Sequence, residues 1–114
     1  MHELSLALSI LELAEEEGER RGGRVAAVYV KLGRLSGVVQ EALVSAFELA
    51  REGTALAQAE LVIEEVPLVI HCSTCAADQT LHSEFELRCP ACGGLSNAVV
   101  SGREMEVHAL EIES

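Results

Sequence analysis

Basic residues are scarce in this chain of 114 residues. Eight Lys and Arg stand against nineteen Asp and Glu, a formal net charge of −11. Phosphate binding needs cationic side chains that displace counterions, so nucleic acid is not an expected partner. The balance favours cations or a basic protein surface instead. Aromatics are scarce too, with no Trp, one Tyr and two Phe. Apolar residues make up 49% of the chain, so a core is available, but Leu, Val, Ile and Ala must pack it. The length allows one small domain, or one domain with an appendage, and a chain this short gains from a metal staple.

Export and membrane signals are missing as well. The apolar run over residues 4–14 has no basic region ahead of it and is interrupted by Ser5, Ser9 and Glu12. It reads as neither a signal peptide nor a membrane span. No Gly-x-x-x-x-Gly-Lys phosphate loop occurs, so nucleotide hydrolysis would belong to a partner. No Ser-His-Asp or Cys-His pairing is suggested, and the chain is not expected to be an enzyme.

What the sequence does have is a cysteine pattern. All four cysteines form two Cys-x-x-Cys pairs, Cys72/Cys75 and Cys89/Cys92, with thirteen residues between the pairs. Each pair makes a short knuckle that points two thiolates at one ion. Two knuckles make a closed tetrahedral site that suits Zn²⁺ and leaves no open position for catalysis. Pro90 and Gly93-Gly94 read as knuckle geometry. Without an export signal, the pairing points to thiolates on metal in a reducing cytoplasm.

Around this motif the chain reads as an α/β (α+β) fold. Two helices pack on a small three-stranded sheet, and a four-cysteine, zinc-ribbon-like module is inserted. Residues 4–19 predict a helix with a narrow wet stripe (Ser5, Ser9, Glu12, Glu16) and a broad buried face. Arg20-Arg21 suit its C-terminal end and Gly22-Gly23 stop it. Residues 24–32 alternate as a strand, with Ala26, Val28, Val30 and Leu32 on one face and Val25, Ala27, Tyr29 and Lys31 on the other. Gly33 and Gly37 bracket a turn. A second helix is expected over about residues 39–52, stopped by Gly53, with a short helical turn over 54–59. A strand over 60–66 ends at Pro67. Residues 79–87 are expected to supply a hairpin between the knuckles. The last strand, within 102–112, sets Met105, Val107 and Ala109 against Glu104, Glu106, His108 and Leu110. The segment 68–100 therefore reads as an insertion into one α/β domain made of 1–67 and 101–114.

The N-terminus offers a second metal chemistry. The α-amine of Met1, the backbone nitrogen and Nδ1 of His2, and the backbone nitrogen of Glu3 can close adjacent chelate rings on one ion. Such a planar nitrogen set suits Ni²⁺ or Cu²⁺ rather than tetrahedral zinc. The bulk of His2 is expected to keep Met1 in place. The plainer reading of the dipeptide makes His2 an exposed helix-start residue and Glu3 a favourable charge at the helix dipole.

The chain resembles the HypA/HybF family of hydrogenase maturation nickel metallochaperones. The resemblance rests on Met1-His2-Glu3-Leu4-Ser5-Leu6-Ala7, Gly33-Arg34-Leu35-Ser36-Gly37-Val38, Glu41-Ala42-Leu43 through Phe47, Leu61-Val62-Ile63-Glu64-Glu65-Val66-Pro67, the two knuckles, and Gly102-Arg103-Glu104-Met105-Glu106-Val107. It spans essentially the whole chain and departs from the family mainly in the loop between the knuckles. It implies a nickel-binding domain (1–67 and 101–114) with nickel at Met1, His2 and Glu3, and a zinc domain (68–100) held by Cys72, Cys75, Cys89 and Cys92. Ni²⁺ is then transferred cargo and Zn²⁺ a structural cofactor. The implied partners are a nickel-binding maturation GTPase and the large subunit of NiFe-hydrogenase, and some members also serve urease maturation. Monomer and homodimer both stay open.

The competing reading is a zinc-ribbon adaptor that binds protein and carries no nickel. His71, beside Cys72, reads as a surface or packing histidine or as a spare ligand to the zinc site. His82 lies in the inter-knuckle loop, and His108 reads as structural. Glu12, Glu15, Glu16 and Glu17 read as a solvated helix surface. Tyr29 and Phe47 read as packing residues.

Overall fold

The computed structural model describes residues 2–83 and 86–114. The chain divides into two compact units. Unit 1 is Met1–Lys31, Gly37–Glu64 and Glu106–Ser114; unit 2 is Leu32–Ser36 and Glu65–Met105.

Unit 1 is two layers, with helices α1 (Glu3–Arg21) and α2 (Gln40–Ala50) against a sheet. The sheet order is β2 (Glu60–Val66), β1 (Arg24–Gly33), β6 (Met105–Glu113). Arg24 meets Glu113 at one end of β1, Tyr29 meets His108 midway, and the Gly33 N–H donates to the Glu104 carbonyl beyond. These contacts run in opposite order along β1 and the chain segment of β6, so the two are antiparallel. The core joins Ile10, Leu11 and Ala14 of α1, Val28 and Val30 of β1, and Leu43 and Phe47 of α2.

Helix α1 starts at an extended His2 and ends at Gly22 in the left-handed conformation (φ 66°), whose N–H caps the Glu19 carbonyl. Its buried stripe is Ala7, Ile10, Leu11, Ala14 and Gly18. That stripe is narrower than the broad face expected: Leu4, Leu8 and Leu13 are 51%, 50% and 45% exposed. A helix in a two-layer domain has neighbours on one side only, so leucines off that side stay wet. The segment 51–59 forms hydrogen-bonded turns, not a helix; the Thr54 hydroxyl donates to the Arg51 carbonyl and the Arg51 guanidinium to the Ala59 carbonyl.

Strand β1 does not keep the expected faces. Val25 and Ala27 are buried together with Val28, Val30 and Leu32, while Ala26 is half-buried, so the alternation changes phase at Ala27–Val28. Strand β6 changes phase too: Val107, Leu110 and Ile112 pack on the core and Ala109 is exposed, against the expected placing of Ala109 with Val107. Before Tyr29 both faces of β1 are small or apolar, so alternation alone could not choose between them.

Unit 2 is built on a second three-stranded sheet, ordered β4 (Ala77–Leu81), β3 (Leu68–Cys72), β5 (Val99–Ser101). Strands β3 and β4 are antiparallel in register from Leu68↔Leu81 to Cys72↔Ala77. Leu68, Ile70 and Leu81 form its small core, backed by Leu35, Leu87 and Val99. The β1–α2 connection belongs to this unit: the Leu35 N–H donates to the Gly102 carbonyl, and a Cβ on Gly33 would sit 2.1 Å from that same oxygen.

Candidate metal centre

The first knuckle is the turn of the β3–β4 hairpin. Cys72 ends β3, Cys75 sits in the turn, and Ala76 takes a left-handed φ of 50° that brings the chain back into β4. The hairpin thus crosses the first knuckle. The one expected between the knuckles, over 79–87, starts on β4 and includes residues 84 and 85, which lie outside the described residues. The second knuckle closes on its own backbone: Cys89 N–H donates to the Gly94 carbonyl and Gly93 N–H to the Cys89 carbonyl, with Gly93 at φ 75°. A bridge between Arg88 and Leu95 holds its two ends.

The fold brings all four thiols together. The four Sγ atoms lie within 4.8 Å of one another, with Cys72–Cys92 at 3.6 Å and Cys75–Cys89 at 3.8 Å. A disulfide would need about 2.05 Å, and all four cysteines are free. A tetrahedral ion with metal–sulfur bonds of about 2.3 Å spaces its sulfurs about 3.8 Å apart. The donor set therefore fits one tetrahedral thiophilic ion. Electrostatics agree. Hydrogen bonds to Cys89, Cys92 and Cys72 push the Cys75 thiol up to about 12. The backbone N–H groups of Cys92 and Ala91 hold Cys89 down to about 7 against its burial. One knuckle sulfur, Cys89, is prepared as a thiolate, and Cys75 keeps its proton until a cation takes its place.

The histidines stand outside this cluster. His71 Nδ1 pairs with Asp78 Oδ1 at 2.9 Å across the β3–β4 hairpin, and among the described residues the metal-holding group contains only the cysteines. His82 is exposed. His108 lies on β6 with its ring 6.3 Å from that of Tyr29. Of the acidic run on α1, Glu17 pairs with Arg20 at 3.0 Å, and Glu12 and Glu16 are exposed.

At the N-terminus, Met1 lies outside the described residues. His2 is exposed and is the N-cap of α1, yet its side chain makes no capping bond. Glu3 is the first helical residue, so its amide has no carbonyl four residues back. Its carboxylate accepts the Val39 N–H at 3.1 Å, a contact that sequence reasoning missed. That bond and the N–H of Glu3 itself hold the carboxyl below its ordinary value.

The family model described as "Hydrogenase/urease nickel incorporation, metallochaperone, hypA" matches residues 1–112. The chain belongs to the HypA family. Relatives include the hydrogenase maturation factor HypA of Roseiflexus sp. (strain RS-1), 47% identical over 114 residues that cover 99% of this chain and 93% of the relative. The HypA of Geobacter metallireducens is 42% identical over 113 residues, covering 99% and 100%. Among solved structures, the Ni metallochaperone HypA from Helicobacter pylori superposes with a TM-score of 0.66 at 27% identity, covering 98% of this chain and 97% of that one. A second HypA solution structure gives 0.72 at 27% identity, covering 99% and 97%. The HypA family is one of metallochaperones for hydrogenase maturation, so this chain is a metal-handling maturation factor and not an enzyme. No helix among the described residues is long and apolar enough to cross a membrane.

Proposed function

We propose that this HypA-family chain binds Ni²⁺ at Met1, His2 and Glu3 in unit 1 and delivers it to the large subunit of NiFe-hydrogenase, with a maturation GTPase as co-worker in the cytoplasm. Unit 2 is the zinc domain, with Zn²⁺ held by Cys72, Cys75, Cys89 and Cys92 as a structural brace. The family match over residues 1–112 carries this reading. The exposed His2 imidazole at the start of α1 makes no capping bond and supports it, because a side chain that the helix does not use can be given to an ion. The all-thiolate donor set supports zinc, which tetrahedral sulfur suits, over nickel at the second site.

The chemistry suits a carrier. An amine, an imidazole and backbone nitrogens offer a planar set that selects Ni²⁺. A partner's ligands or protons displace such nitrogens one at a time, so tight binding and release coexist. Nickel titration of the untagged protein, followed by its absorption spectrum, tests the site. One equivalent with a square-planar band is expected. His2→Ala, or residues added ahead of Met1, must each abolish that band and leave the thiolate-bound ion in place. A chain that binds zinc alone is an adaptor, and nickel binding that survives both changes puts the site elsewhere.

A further inference from the structure

The helices of unit 1 cover one side of its sheet and leave the other to solvent. On that open side β1 presents Tyr29 and Lys31 between two acidic rows. Glu60 and Glu64 of β2 are exposed on one flank, and Glu106 and Glu111 of β6 on the other. The in-facing partners fix this orientation: Leu61 and Ile63 of β2, and Val107 and Leu110 of β6, pack on the core. Tyr29, expected as a packing residue on the same face as Lys31, packs on this open side rather than in the core. It is half-buried, its ring meets His108 edge-on at 67°, and its hydroxyl donates to Glu111 Oε1 at 3.2 Å.

Both flanks converge on that hydroxyl. It is pushed above its ordinary value first by the hydrogen bond to Glu111 and also by the charge of Glu60 on the opposite strand. At the end of the sheet Arg24 is committed to Glu113 at 3.6 Å. Four carboxylates then share the face with a single lysine. The charge is also uneven between the units: unit 1 carries fourteen of the nineteen acidic residues and five of the eight basic ones.

We propose that this open sheet face is a docking surface for a lysine- or arginine-bearing segment of a partner protein. The acidic rows supply steering and ion pairs, and the Tyr29 ring supplies a flat aromatic contact for a cation or its alkyl stem. A second copy of this chain is a poor occupant, since it would bring the same acidic rows against these.

The test uses the full-length, metal-loaded protein. The probe is a fluorescent peptide of alternating arginine and valine, about six residues long, the length of an average strand. Amide shifts are expected to move at Tyr29, Val62 and His108 and not along α1. Added salt should weaken binding. The double variant Glu60→Lys/Glu111→Lys should weaken it by about tenfold. Glu12→Lys/Glu16→Lys makes the same charge change on α1 and should leave it within about twofold. All four side chains are exposed, and dispersed amide spectra confirm that both variants fold. Absence of binding, equal losses in the two double variants, or shifts spread along α1 would overturn the proposal.

Discussion

Glu3 and Val39 are joined across unit 1. The Val39 backbone N–H donates to Glu3 Oε2, so the first residue of α1 holds the N-cap of α2. Val39 cannot cap with its own side chain, and Glu3 does from another helix what a capping-box glutamate does from within its own. The segment proposed to carry nickel is thereby fastened to the fold one residue beyond His2.

This bond has a pH signature. Its Val39 donor is the main reason that the Glu3 carboxyl lies below its ordinary 4.5. A carboxylate depressed on folding stabilises the fold above its unfolded value, and the contribution is lost as pH falls through the lower folded value. The Val39 amide resonance should therefore be constant from neutrality to about pH 5, then shift with a midpoint below the ordinary value. In Glu3→Ala this titration should vanish and Val39 should exchange its amide hydrogen faster. An unchanged Val39 exchange rate would mean that the bond does not hold α2 in solution.

Gly33→Ala should be among the most damaging single-methyl changes in the chain. The added Cβ would lie 2.1 Å from the Gly102 carbonyl oxygen and 2.8 Å from the Arg103 nitrogen, both backbone atoms that no rotamer can move. The expected loss is about 2–4 kcal/mol, read as a lower urea midpoint. Gly37→Ala makes the contrast. Nothing lies within 4 Å of its Cβ, so only the left-handed φ of 76° resists it and a smaller loss is expected.

Phe47→Ala should cost about 3–5 kcal/mol, because a fully buried aromatic leaves a cavity that the two-layer core cannot close. Tyr29→Ala should cost clearly less, since that ring is half exposed on the open face. Chemical denaturation of both variants checks the order; equal losses would place Tyr29 in the core after all.

These contrasts show what could be read in the sequence. Pro67 ends β2 because its ring fixes φ and removes the N–H, Gly22 ends α1 because it takes the left-handed φ without strain, and the Cys-x-x-Cys spacing carries its own geometry. Phe47 was legible as core from helical spacing. The burial of Val25 and Ala27 was not, because the phase change at Ala27–Val28 lies in a run of small apolar residues that fit either face. The Glu3–Val39 bond had no local signal: the pair is 36 residues apart and depends on how α1 packs against α2. The β3–β4 hairpin was hidden because its turn is the first metal knuckle, which reads as a motif rather than as a turn.

The four-thiol cluster should couple metal, protons and the folding of unit 2. Among the described residues the buried apolar cluster of that unit is Leu68, Ile70 and Leu81, too small to hold it without a staple. Removing the ion with a chelator should therefore erase amide protection across β3, β4 and β5, while α1, α2 and β1 keep theirs. Readdition near neutral pH should release protons. The Cys75 thiol, pushed up to about 12 by its neighbours, stays protonated until the ion arrives, whereas Cys89 at about 7 is already partly ionised. Acid must then favour the metal-free form, because protons compete for the same sulfurs. Titration calorimetry of Zn²⁺ in buffers of different ionisation enthalpy measures the release directly. The number of protons released should fall as the starting pH is raised through the range where Cys89 ionises. Proton-neutral uptake near neutrality would mean that the cluster is already ionised without metal, contrary to the mutual hydrogen bonding of its thiols.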